Sequence, residues 1–124
     1  MLKKLVVSLV LGAALAVSVT AGAHTAKPKH GGVVREAGDL SFEIVAKGDA
    51  AIIYVEDHGK PLATTGMAGR LTVLNGKETS EAELSPAGEN RLEAKGLKVE
   101  KGARAVAVLT TAQKRTLTVR FTVK

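Results

Sequence analysis

From Val33 to the end of the chain, apolar and polar residues alternate in short runs, and turn-forming residues break the pattern roughly every eight to twelve positions. Such a pattern admits little besides short antiparallel strands, each with one face buried. Leu40, Phe42 and Ile44 alternate with Ser41, Glu43 and Val45. Leu117, Val119, Phe121 and Val123 alternate with Thr116, Thr118, Arg120 and Thr122. Between them, Ala-Ala-Ile-Ile-Tyr-Val-Glu over 50–56 reads as a strand buried on both faces. Further strands follow around Leu71 and Val73, Ala82 and Leu84, Leu92 and Ala94, and over 103–111.

The breaks have their own chemistry. Gly48 and Asp49 read as a hairpin turn, and Asn75-Gly76 is the strongest hairpin signal, because both residues tolerate positive φ. His58 to Pro61, Gly66 to Gly69 around Met67, Pro86 to Asn90, and Gln113-Lys114 are the remaining turns. No segment sustains a period of 3.6. The expected fold is all-β: one immunoglobulin-like sandwich of about eight short antiparallel strands over residues 33–124, with a small closed barrel as the alternative.

Residues 1–23 have the order of a secretory signal peptide. Lys3 and Lys4 are the basic start, 5–19 is an uncharged apolar run, and Thr20-Ala21-Gly22-Ala23 supplies small residues before cleavage. The run is too short and poorly flanked for a membrane span, and no Cys follows it, which excludes a lipoprotein. The expected location is the periplasm, with no stable membrane insertion after cleavage. Lys3 and Lys4 account for two of the +6 formal charge, leaving +4 on the remainder. Residues 24–32, His-Thr-Ala-Lys-Pro-Lys-His-Gly-Gly, are expected to form a flexible leader.

Composition removes several function classes. With no Cys, there is no disulfide, thiolate ligand or thiol nucleophile. Phe42, Tyr54 and Phe121 are the only aromatics, too few for base-stacking platforms, so nucleic acid is not an expected partner. No Gly-x-Ser-x-Gly elbow, His-Glu-x-x-His helix or phosphate loop occurs. Asp57 and His58 are adjacent, so in a continuing strand their side chains would point to opposite faces and form no acid-base pair. The chain is not expected to be an enzyme. Most of Glu36, Asp39, Glu43, Glu56 and Asp57 read as solvated strand positions.

Three histidines and one methionine remain. His24, His30 and His58 all lie outside the apolar runs, in the leader or at a turn. Cleavage after Ala23 would make His24 the first residue, whose amine and ring chelate one ion, with His30 or His58 adding a further imidazole. Cleavage after Ala21 would leave Gly22-Ala23-His24, a square-planar nitrogen site suited to Cu(II) or Ni(II). Met67 is either a thioether ligand or a core filler. The expected ligands are thus His24, His30, His58 and Met67, with copper first and nickel, zinc or cobalt as other candidates. The competing expectation is a metal-free structural module that adds a partner's strand to a sheet edge.

The run Lys29-His30-Gly31-Gly32-Val33-Val34-Arg35-Glu36-Ala37-Gly38-Asp39 resembles the His-Gly-Gly segment of small periplasmic proteins associated with heavy-metal efflux systems. Similar segments begin some periplasmic adaptor subunits of those exporters. Tyr54 to Pro61 and Gly69 to Gly76 fit the same group. The resemblance implies a periplasmic β-domain that handles metal, with His30 and His58 as matching ligands and a periplasmic efflux component as partner. Lacking the adaptors' helical hairpin and lipoyl-like domain, the chain would be a free-standing accessory.

Overall fold

In the computed structural model, residues 26–124 are described, and among them every regular element is a strand. They are β1 (Val33–Ala37), β2 (Leu40–Lys47), β3 (Ala50–Asp57), β4 (Lys60–Pro61), β5 (Ala68–Asn75), β6 (Glu78–Pro86), β7 (Arg91–Lys95), β8 (Arg104–Thr110) and β9 (Thr116–Thr122). The strands run antiparallel in the order β1-β2-β3-β7-β6-β5-β8-β9, with β4 paired to the end of β3. The signal-peptide expectation and His24 lie outside the described residues.

Sandwich and barrel readings meet in this topology. One half is β1-β2-β3-β7 and the other is β6-β5-β8-β9. β6 belongs to both: it pairs with β5 along Glu78 to Leu84, then with β7 at Ser85 and Pro86 only. A strand that changes partners along its length makes the corner of a closed sandwich. On the other side β1 and β9 come alongside each other without ladder pairing, leaving a seam in an otherwise continuous sheet. The turn after β1 abuts the start of β9, where a Cβ on Gly38 would lie 3.0 Å from the Arg115 guanidinium and 3.3 Å from Leu117.

The core follows the alternation. Phe42, Ile44, Ile53, Val55 and Leu92 from one half meet Leu71, Val73, Leu84, Leu109, Val119 and Phe121 from the other, all buried. Each such side chain contributes about 1.5–3 kcal/mol of burial, which lets a domain without disulfides stand on packing. β3 is covered on both sides at its centre: Ile53 faces the core, and Ile52 on the outer face is also buried.

One local expectation changes. The two-residue hairpin loop is Gly76-Lys77, because Asn75 pairs with Glu78, and only Gly76 has positive φ, at 60°. The Asn75 side chain works elsewhere: its amide donates to the Lys98 carbonyl at 2.8 Å and its oxygen accepts from Glu100 N–H at 3.1 Å. That stitch helps to hold the 95–103 connection, whose Leu97 and Val99 are buried although the segment reads as polar.

Candidate functional site

The N-terminal arm lies across the outer face of β2 and β3. Glu43 on β2 and Tyr54 on β3 are directly opposed, and both side chains point away from the core. An outward glutamate is normally solvated, yet Glu43 is only 5% exposed, because the arm covers it. The N–H of Lys29 donates to its Oε1 at 3.0 Å, and the N–H groups of His30 and Gly32 donate to its Oε2 at 2.8 Å each. His30 Nδ1 lies 3.1 Å from Oε1. The His30 ring is stacked on Tyr54, 3.6 Å between centroids and 2° between planes.

Burial pushes the Glu43 carboxyl up, but the donors from Lys29, Gly32 and His30 together outweigh it and hold the pKa below the ordinary glutamate value. The group is therefore an anion near neutrality, and an ionised carboxylate only accepts. The proton between the two groups consequently belongs to Nδ1 of His30, and Nε2 is the ring nitrogen outside that contact. Among the described residues no hydrogen bond engages that nitrogen.

Lys29 extends the anchorage. Its ammonium pairs with Glu56 at 2.8 Å and donates to the Gly59 carbonyl at 3.5 Å. The leader expected to be flexible is thus tied down from Lys29 to Gly32, because a buried carboxylate gathers its amides. Glu43 itself, expected on a solvated face, is the clearest correction. The sequence did carry a signal for it: two glycines after His30 let the backbone approach a strand closely. A Cβ on Gly32 would sit 2.1 Å from the Ile44 carbonyl oxygen.

His58 follows the last residue of β3 in a left-handed conformation, with φ of 53°. The strand ends at Asp57, so the two side chains are not sent to opposite faces as expected. His58 Nδ1 lies 2.5 Å from Asp57 Oδ1. The pair is exposed, with 74% of the histidine side chain open to solvent. Met67 is 4% exposed and belongs to the core, as the filler reading has it. It also lines an end groove of about 410 Å³ together with Asp57 and His58.

Of the expected ligands, then, His58 and Met67 share a groove, His30 stands on the outer face of β2–β3, and His24 lies outside the described residues. Among the described residues, no three His, Asp or Glu side chains converge on one point suited to a metal ion. Nor does any described helix have the length and apolarity to cross a membrane. No protein-family model, curated protein or solved structure matches this chain.

Proposed function

We propose that this is an exported metal-binding protein of the periplasm, holding copper as a buffer or chaperone for a heavy-metal efflux system. The observation that carries the reading is the setting of His30. Its ring is stacked on Tyr54, its Nδ1 is occupied by the buried Glu43, and its Nε2 has no hydrogen-bond partner among the described residues, which supports it as the metal-binding nitrogen. Metal-binding histidines characteristically hand their second nitrogen to a carboxylate, which fixes the tautomer and aims the other lone pair. His58 repeats the pattern through Nδ1 and Asp57.

His24, six residues upstream of His30 in the sequence, completes the proposed donor set, together with the chain amine when cleavage falls after Ala23 and with the amine and amides of Gly22-Ala23 when it falls after Ala21. Nitrogen donors of this kind suit Cu(II) or Ni(II). The Lys29 ammonium reaches the carbonyl of Gly59, the residue after His58, at 3.5 Å, and this supports His58 as a further candidate imidazole.

The test is a titration of the protein with Cu(II), read by the visible d–d band and by calorimetry, after intact mass has fixed the mature start. One equivalent should bind with colour. His24→Ala and His30→Ala should each weaken binding by about 10–100-fold, the range typical of disturbed ligand shells. Titrations of copper, nickel, zinc and cobalt that give no heat, no colour and no change in melting temperature would overturn the reading.

A further inference from the structure

On the opposite half of the domain, the outer face of β5, β8 and β9 forms a trough of about 570 Å³. Three guanidinium groups line it: Arg104 on β8, Arg120 on β9, and Arg35, which reaches it from β1 across the seam. Its remaining surface is apolar and hydroxylic, with Leu74 and Val106 on the floor and Thr79 at the far end. The register makes the arrangement regular. Leu74 opposes Arg104 across β5–β8, and Val106 opposes Arg120 across β8–β9. Arg104 and Arg120 are therefore diagonal neighbours on one face, close enough for their charges to repel.

Among the described residues, no ion pair offsets that repulsion. No Asp or Glu lines the trough, and among the described residues none of the three arginines makes an ion pair. The nearest outward carboxylate in register, Glu81, is engaged by Arg70 at 3.2 Å. The same half of the sheet also carries both large apolar side chains that stand exposed among the described residues, Leu74 at 39% and Val108 at 44%. Of these, Leu74 lines the trough itself, and an exposed apolar side chain beside unpaired guanidinium groups suits recognition of a partner.

We infer that this trough docks an extended acidic segment of a partner protein. Its dimensions favour a chain. It crosses from β6 over β5 and β8 to β9, three inter-strand spacings, or about 14 Å, and continues over the seam to Arg35 of β1, a length suited to a short extended peptide. Its chemistry favours carboxylates, which guanidinium forks bind bidentately. Threonine hydroxyls suit peptide amides, and the Leu74–Val106 floor takes an apolar side chain between two acidic ones. The strands beneath are already paired on both sides from β5 to β8, so recognition there uses side chains and not strand addition.

The test uses protein purified after expression of the full chain, kept in EDTA so that metal binding plays no part. The probe is a fluorescein-labelled peptide of alternating Glu and Val, six residues long, followed by anisotropy. It should bind saturably, and the double variant Arg104→Glu, Arg120→Glu should weaken it at least tenfold. A charge-matched double variant on the other half of the sheet, Lys47→Glu on β2 with Lys95→Glu on β7, should leave binding within twofold. All three proteins should melt within a few degrees of one another. Absence of saturable binding, or an equal loss in the remote variant, would overturn the inference. So would Arg104- and Arg120-dependent binding to phosphatidylglycerol vesicles with none to the peptide, which would make the trough a lipid site.

Discussion

The imidazole of His30 lies flat on the ring of Tyr54, with 3.6 Å between centroids and 2° between planes. The contact exists because Tyr54 and Glu43 oppose one another across β2–β3, so that one cross-strand pair offers the arm a carboxylate and an aromatic surface side by side. A stacked pair of this kind contributes about 0.5–1.5 kcal/mol. Tyr54→Ala should therefore leave the barrel folded but raise amide exchange at Lys29 to Gly32 by about 2–10-fold, whereas Tyr54→Phe should not. Hydrogen-exchange mass spectrometry on metal-free protein reads the difference.

Glu43 links arm docking to pH. Its folded pKa lies below the ordinary glutamate value, so in the acid range the unfolded chain binds more protons than the folded one. The stabilisation is fully present above the unfolded carboxyl's range and is lost as pH falls through the depressed folded value. Melting temperatures in EDTA should show the native protein losing stability relative to Glu43→Gln between roughly pH 5 and pH 3. At pH 7 the variant should be less stable by about 2–3 kcal/mol, since a neutral amide meets three N–H donors less well than a carboxylate does. Parallel curves for the two proteins would show that Glu43 does not hold the arm as an anion.

The adjacent glycines of the His-Gly-Gly run should respond differently to the same substitution. Gly31 has φ of 78° and open space where a Cβ would stand, so Gly31→Ala meets only conformational strain, about 1–2 kcal/mol. Gly32 would place its Cβ 2.1 Å from the Ile44 carbonyl oxygen and 2.9 Å from Val45 Cγ2. Gly32→Ala must lift the arm off β2, breaking the Gly32 N–H donation to Glu43 and the His30 stack. Ring-current shifts of the His30 protons, induced by Tyr54, should survive in Gly31→Ala and vanish in Gly32→Ala.

Period-two alternation made the strands legible, because burial of one face imposes it residue by residue. Phe42, Ile44, Val119 and Phe121 all occupy the side that alternation assigned them. The closure was less legible: the partner change of β6 depends on twist and length, and Ser85 and Pro86 look like ordinary turn residues. Glu43 escaped for a more general reason. Alternation says that a charge faces outward but not whether another segment covers it, and here the cover comes from upstream of the alternating region. The trough escaped because Arg35, Arg104 and Arg120 are far apart in sequence and meet only when β1 comes alongside β9. His30 was legible as a candidate ligand from its place outside the apolar runs; the carboxylate beside it was not.

Met67 separates packing from ligation by substitution. Its side chain is buried in the core and also borders the groove that holds Asp57 and His58, so both roles are open to it by position. Leu matches its volume without sulfur, and volume-conserving core swaps cost less than about 1.5 kcal/mol. Ala leaves a cavity and costs about 2–5 kcal/mol. If Met67 is a core filler, Met67→Leu should unfold within a few degrees of the native protein, Met67→Ala should melt well below both, and Cu(I) affinity should be the same for the native and Leu proteins. If the thioether ligates, Met67→Leu keeps its melting temperature in EDTA but loses Cu(I) affinity, read by competition against a chromophoric chelator. The depth of burial, 4% exposed, favours the first outcome.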